Sequence, residues 1–252
     1  PPFFVFIYMN SRIEQLKEYA KIMKDTPYAL KTYLQTYDNT QKKYVPLELF
    51  EDQIQLINDL EKYNENITRK YRQAGVTTVT AAWISKKLQL AKPENPERVL
   101  ICANKRDTAI EMANKVRHFL EQWPEWINVG FSPDKNAESR FKLNNGCEVK
   151  AVATSADALR GYTPTILIFD EATSALDSLT EEEITNTIKN ISKAKEQITI
   201  LIAHRLSTIK EADQILVLDG GKIMERGKHE ELVESGGLYS ELYQRQDLSL
   251  PN

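Results

Sequence analysis

Thr165-Ile166-Leu167-Ile168-Phe169-Asp170-Glu171 is the stretch that decides the fold. A continuous run of this kind, rich in β-branched side chains, reads as a strand buried on both faces; a half-solvated strand would alternate. It ends on two adjacent carboxylates. Residues 198–203 (ITILIA) repeat the pattern, and residues 98–103 and 215–218 are shorter runs of the same type. Helical stretches separate them: one from Gly75 to Leu90, one opened by Asp107 with Ile110, Ala113, Val116 and Leu120 on one side, and one over 181–194. Strand–helix alternation predicts a parallel sheet with helices on both faces.

Outward from that core, Asn145-Gly146 is a hairpin turn between 140–143 and 148–153, and Asp219-Gly220-Gly221 is a second, followed by two short helices. Towards the N-terminus, Ser11 and Glu14 form a capping box ahead of a stripe at Ile13, Leu16, Ala20 and Met23. Residues 27–44 read as a polar connector. Pro46 then suits a first helical turn, with Phe50, Ile54, Ile57 and Leu60 on one face.

The 252 residues are 41% hydrophobic and 27% charged, which suits a globular α/β chain and excludes a fibrous or disordered one. No apolar run approaches the roughly 20 residues of a membrane helix. Cys102 and Cys147, the two cysteines, have no metal-ligand spacing, and a reducing compartment fits them. The net charge of −3 conceals an asymmetry: residues 1–162 hold 24 basic and 20 acidic side chains, residues 163–252 hold 9 and 16. The two parts look like pieces of different ancestry.

Residues 70–78, Lys70-Tyr71-Arg72-Gln73-Ala74-Gly75-Val76-Thr77-Thr78, have the place of a phosphate-binding loop between strand and helix. Such a loop needs converging backbone N–H groups, a small residue for close approach and a hydroxyl for Mg²⁺. Gly75 and Thr77 meet the last two needs. Lys70 stands where G-x-x-x-x-G-K-[ST] has its first glycine, and Val76 replaces the lysine, so Lys70, Arg69 or Arg72 must supply the positive charge. A polar turn ahead of a helix is the plainer alternative. Lys86-Lys87 and residues 135–142 read first as solvated surface and second as phosphate contacts. Asp170 is placed to hold Mg²⁺ and Glu171 to orient or deprotonate water.

Beyond Glu171, Ala172-Thr173-Ser174-Ala175-Leu176-Asp177 and Ile202-Ala203-His204-Arg205-Leu206-Ser207-Thr208 carry a resemblance. Residues 163–246 resemble the C-terminal part of the nucleotide-binding domain of ATP-binding-cassette exporters. That resemblance implies Asp170 as Mg²⁺ ligand, Glu171 as catalytic carboxylate, Ser174 to Asp177 as the D-loop and His204 as the switch histidine near the γ-phosphate. The family's LSGGQ-type signature has no counterpart; AVATSADALRGY stands in its place.

Residues from about 45 to 171 resemble instead the ATPase domain of the tailed-phage terminase large subunit, nearest to the T-even-like group. Four features carry this in order. Phe50-Glu51-Asp52-Gln53 is similar to an adenine-sensing Gln motif. Tyr71 to Thr78 is similar to the R-Q-x-G-x-T-T form of Walker A, with Arg72 at the arginine position and Gln73, Ala74, Val76 and Thr78 inside the loop. Residues 143–161 are similar to the lead into Walker B, and Asp170-Glu171 closes it.

Both resemblances imply a P-loop NTPase fold of RecA/ASCE type, a parallel sheet covered on both faces, with a small N-terminal helical segment and a C-terminal hairpin with helices. They divide the chain into an N-terminal segment or linker (1–45), a terminase-like front (46–171), an exporter-like back completing the same sheet (172–247) and a tail (248–252). Each part is expected to deliver strands to the side it natively occupies, which preserves the register of the parallel sheet. The implied cofactors are ATP and Mg²⁺. The first resemblance implies double-stranded DNA and packaging-machine subunits as partners, in an infected host's cytoplasm. The second implies a transporter's membrane domain at the cytoplasmic face of a membrane. Either implies an oligomer, and an inactive nucleotide-fold module is the third alternative.

Overall fold

A computed structural model of the chain describes residues 12–38, 40–63, 65–69, 75–155, 158, 162–170, 186, 197–203, 209–210, 212–219 and 222–247. Of the helix expected over 181–194 they include Asn186 alone, which is helical.

Asp25 starts the first departure from expectation. Its carboxylate accepts the Tyr28 N–H at 2.9 Å, and Pro27 occupies the first turn, where no N–H is needed. Helix α2 (Thr26–Tyr33) therefore forms directly after α1 (Arg12–Lys24), where the sequence reading placed a connector. A two-stranded hairpin of β1 (Gln35–Asp38) and β2 (Lys43–Pro46) follows. Ile22, Ala29, Leu30 and Leu34 are buried in the main core, so this N-terminal segment is part of the fold's packing. The stripe expected to bury α1 faces outward instead: Ile13, Leu16 and Met23 are exposed, and Ile22 makes the inward contact. Pro46 closes β2, and α3 (Glu51–Lys62) begins after it, with Leu56, Ile57 and Leu60 buried. Phe50 is exposed at its N-cap.

From β3 (Glu65–Arg69) the chain runs through α4 (Val76–Leu90), β4 (Arg98–Ala103), α5 (Arg106–Glu121), β5 (Phe131–Ala137), β6 (Arg140–Leu143), β7 (Glu148–Ala153) and β8 (Ile166–Asp170). Then come β9 (Ile198–Ala203), β10 (Gln214–Asp219), β11 (Lys222–Gly227), α6 (His229–Glu234) and α7 (Leu238–Asp247). Among the described residues the main sheet has nine strands in the order β11-β10-β3-β9-β8-β4-β7-β6-β5. Strands from β10 to β7 pair in parallel, while β11, β6 and β5 are joined to it antiparallel. The edge strand β5, which the sequence reading passed over, contains Pro133; an edge tolerates the missing donor that a central strand would not.

The unbroken apolar runs bury both faces by alternation. Val99, Ile101, Ile166, Ile168, Ile200 and Ile202 join the core that also contains residues of α4 and α5. Leu100, Cys102, Leu167, Phe169, Leu201, Ile215 and Val217 join a second core with Leu232 of α6 and Tyr239 of α7. At about 1.5–3 kcal/mol for each large aliphatic side chain fully buried, these two layers dominate the stability of the sheet.

Front and back do not each hold one side of the sheet. Strand β3 is hydrogen-bonded to β9 on one flank and β10 on the other, both from the back part. The chain leaves β3 for β4 and skips two places, which β8 and β9 fill later. The two parts therefore interleave.

Candidate functional site

One row of residues crosses the sheet at the carboxyl ends of its parallel strands. Thr68 on β3, Ile202 on β9, Asp170 on β8, Ala103 on β4 and Ala153 on β7 are successive Cα partners. One strand, β9, separates β3 from β8, which puts Asp170 about 10 Å from Thr68 at two inter-strand spacings. Asp170 follows Ile166 and Ile168 in the alternation, so it stands on the α4 face of the sheet. It is 5% exposed. A carboxylate this deep against apolar strands is costly unless polar or cationic groups support it.

After β3 the chain enters α4 through Gly75, whose φ of 68° and ψ of 5° lie in the left-handed region. A methyl group there would sit 2.7 Å from Gln53 Nε2, so the glycine lets the α3 side chain close over the turn. Gln53 Oε1 also accepts the Phe50 N–H at 3.2 Å, capping α3. The first α4 hydrogen bond runs from Val79 N–H to Gly75 O at 2.9 Å. Thr77 is 8% exposed at the same helix end, and Thr78 is partly buried. The structure thus brings Gln53, Gly75 and the first turn of α4 together, and α4 packs on the face of the sheet to which Asp170 belongs.

Val76 is 1% exposed and belongs to the main core. The side chain at the expected lysine position is in apolar packing and supplies no positive charge. Lys70, Arg72, Gln73, Ala74, Glu171, His204 and Ser174 to Asp177 lie outside the described residues. Thr154 was missed by the sequence reading. Its N–H donates to Ala103 O at 2.8 Å at the end of the same row, and its hydroxyl is buried without a partner among the described residues. A polar residue closing an apolar strand was its only signal.

Lys86, read as solvated surface, is buried. Its ammonium donates to Thr26 Oγ1 and lies 3.6 Å from Glu61 Oε1, and burial lowers its pKa against the pull of Glu61. Both thiols are buried, and burial pushes Cys102 up to about 12 and Cys147 up to about 11, which disfavours the nucleophilic thiolate. Among the described residues there is no cluster of three His, Cys, Asp or Glu able to hold a metal ion, and no helix is long and apolar enough to cross a membrane.

The family profile "Terminase large subunit, T4likevirus-type, N-terminal" matches residues 70–205, more than half of the chain. The chain belongs to this terminase family. The match starts at Lys70 and passes through Asp170 and Glu171 into the residues after β9. This terminase-family chain is also similar to curated exporters. It is 37% identical over 147 residues to the mitochondrial iron-sulfur clusters transporter ATM1 of Chaetomium globosum, covering 58% of this chain and 23% of that protein. It is 40% identical over 151 residues to the ATP-dependent lipid A-core flippase of Francisella tularensis, covering 60% and 22%. The chain therefore spans less than a quarter of the length of either relative. A solved bacterial Atm1-family ABC exporter with ATP bound matches at 34% identity over 56% of this chain and 23% of that one, with a TM-score of 0.32. Both kinds of kinship meet in a P-loop NTPase-type fold.

Proposed function

We propose that the chain is the ATPase motor part of a terminase-type DNA-packaging enzyme, with an exporter-like segment completing its sheet. The observation that carries this reading is the alignment of Asp170 with β3, the strand before Gly75, across the single strand β9 and on the face that α4 covers.

The residues fit a magnesium nucleotide. Thr77 and Asp170 offer the hard oxygen donors that Mg²⁺ prefers, and the glycine turn at a helix N-terminus suits phosphate. When bound, Mg²⁺ with ATP supplies a neutralised triphosphate whose γ-phosphoryl group is open to water. In this reading Gln53 recognises the adenine, Gly75 to Thr78 hold the phosphates, and Thr77 and Asp170 hold the ion. Lys70 and Arg72 supply the charge that Val76 does not, with Gln73 and Ala74 completing the loop. Glu171 accepts the proton of the attacking water, and His204 stands by the γ-phosphate. The partners are double-stranded DNA and other packaging subunits in an infected host's cytoplasm, and the working form is an oligomer. The junction lies near 171, between a front of 46–171 and a back of 172–247.

Calorimetric titration with Mg-ATP and a hydrolysis assay with and without duplex DNA test this. Binding together with DNA-stimulated turnover is the expected result, and Glu171→Gln should keep the nucleotide and abolish turnover. Turnover unchanged in that variant removes Glu171 from its role. The exporter identities favour a second reading, a transport ATPase subunit docked on a membrane domain at the cytoplasmic face. Membrane co-fractionation without DNA stimulation would select it. The buried Val76 favours a third, a nucleotide-fold module without turnover, selected by failure to bind Mg-ATP at millimolar concentration.

A further inference from the structure

A cleft of about 320 Å³ opens at the β7–β6 end of the same sheet, lined by Arg106, Ser139, Arg140 and Lys150 with the backbone of β7. Arg140 and Lys150 are direct cross-strand partners, so two cations stand opposite one another on one face. Like charges so placed destabilise a sheet unless something compensates them. Compensation inside the chain is partial. Glu148 accepts from Arg140 Nε. Lys150 Nζ has no carboxylate among the described residues and sits 5.2 Å from the centre of the Tyr162 ring. Arg106 spends one N–H on Ser139 Oγ at 3.3 Å. Among the described residues three cations thus share one carboxylate, and Arg106 opens α5, whose dipole adds positive potential.

We infer that this cleft is a second anion site, distinct from the Gly75–Asp170 region, which takes a phosphate oxyanion. Two guanidinium groups, an ammonium and a hydroxyl lining one cleft are the donors a phosphate takes, and an arginine can donate two N–H bonds to it. The phosphate belongs either to a nucleic acid backbone or to a free phosphate or nucleotide. The site uses none of the residues assigned to ATP, so the inference stands apart from the ATPase reading. Its position links the two all the same. Ala153 on the cleft wall is level with Ala103 and Asp170, two strand spacings or about 10 Å along one edge.

The test uses the full chain and an Arg106→Gln/Lys150→Gln double variant, which leaves the Arg140–Glu148 pair in place. Anisotropy of a fluorescein-labelled duplex of about 30 base pairs is followed between about 50 and 200 mM salt. The double variant should bind at least about tenfold more weakly at the lower salt, with a salt slope shallower by about two, at unchanged melting temperature. Lysine acylation read by mass spectrometry on the unaltered chain separates the sources and serves if the variant misfolds. Protection of Lys150 by duplex alone assigns a nucleic acid backbone, and protection by millimolar inorganic phosphate assigns a free phosphate. Lys150 reacting equally with and without both probes overturns the inference, and equal affinity and slope in a folded double variant overturns a nucleic acid backbone as the source of the phosphate.

Discussion

Asp59 on α3 and Arg226 on β11 meet with Arg226 Nη2 2.6 Å from Asp59 Oδ1, joining the front of the chain to the last strand of its back. Seven residues earlier on α3, Asp52 Oδ1 accepts the Ile223 N–H at 3.0 Å, so the helix is held to the β11 edge at two points. The Asp59 side chain is 4% exposed and that of Arg226 41%. Losing the arginine strands a buried carboxylate, whereas losing the carboxylate leaves a guanidinium that water can reach. Arg226→Met should therefore cost about 2–3 kcal/mol, below the usual range for a buried pair because Arg226 is partly solvated, and Asp59→Asn about 1. Equal losses in urea unfolding would refute the asymmetry.

The same pair has a pH signature. Burial raises the Asp59 pKa, and Arg226 pulls it back without cancelling the rise. A carboxyl that holds its proton more tightly when folded contributes stability below its unfolded pKa of about 3.9 and loses it as pH rises through the folded value. The difference in stability between Asp59→Asn and the parent chain should change with pH just above that value and be flat near neutrality. Unfolding midpoints at stepped pH measure it.

Cutting the chain after residue 171 removes both neighbours of β3. The front part alone should lack a cooperative thermal transition, because β3 would expose two unpaired edges. A cooperative melt from residues 1–171 would mean that the front is a domain in its own right.

Gly75→Ala places a methyl group 2.7 Å from Gln53 Nε2 at a φ of 68°. The left-handed backbone and the contact together should cost about 1–2 kcal/mol and weaken Mg-ATP binding. Pairing it with Gln53→Ala relieves the contact, so part of the loss should return in the double variant.

Restoring a lysine at Val76 should not restore a phosphate site. The position is 1% exposed in the main core, and an ammonium there should cost about 2–4 kcal/mol with no gain in calorimetric ATP affinity. A tighter nucleotide complex in Val76→Lys would show that the longer side chain escapes to the phosphates.

Lys86→Met should hold or raise stability at neutral pH. Burial disfavours the ammonium more than Glu61 favours it, while Glu61 keeps the Thr26 hydroxyl and access to water. A melting temperature lowered by several degrees would reverse that ranking.

The sequence by itself determined the parallel sheet, because β4, β8, β9 and β10 are apolar runs with no polar alternation and can only be covered on both faces. It also marked the β6–β7 turn at Asn145-Gly146, the glycine before α4 and the carboxylate ending β8, since turn chemistry and strand ends are local properties. It misread residues 27–44 and the α1 stripe, where Asp25 and Pro27 compete with polar composition and where the direction a face points depends on what lies beside it. Tertiary structure alone decided that β9 enters between β3 and β8, that Val76 turns inward, that Lys86 is buried and that Arg106, Arg140 and Lys150 share a cleft. Each of these depends on which distant segment becomes a neighbour, and hydrogen bonding and burial across the sheet settle that only once the whole chain has packed.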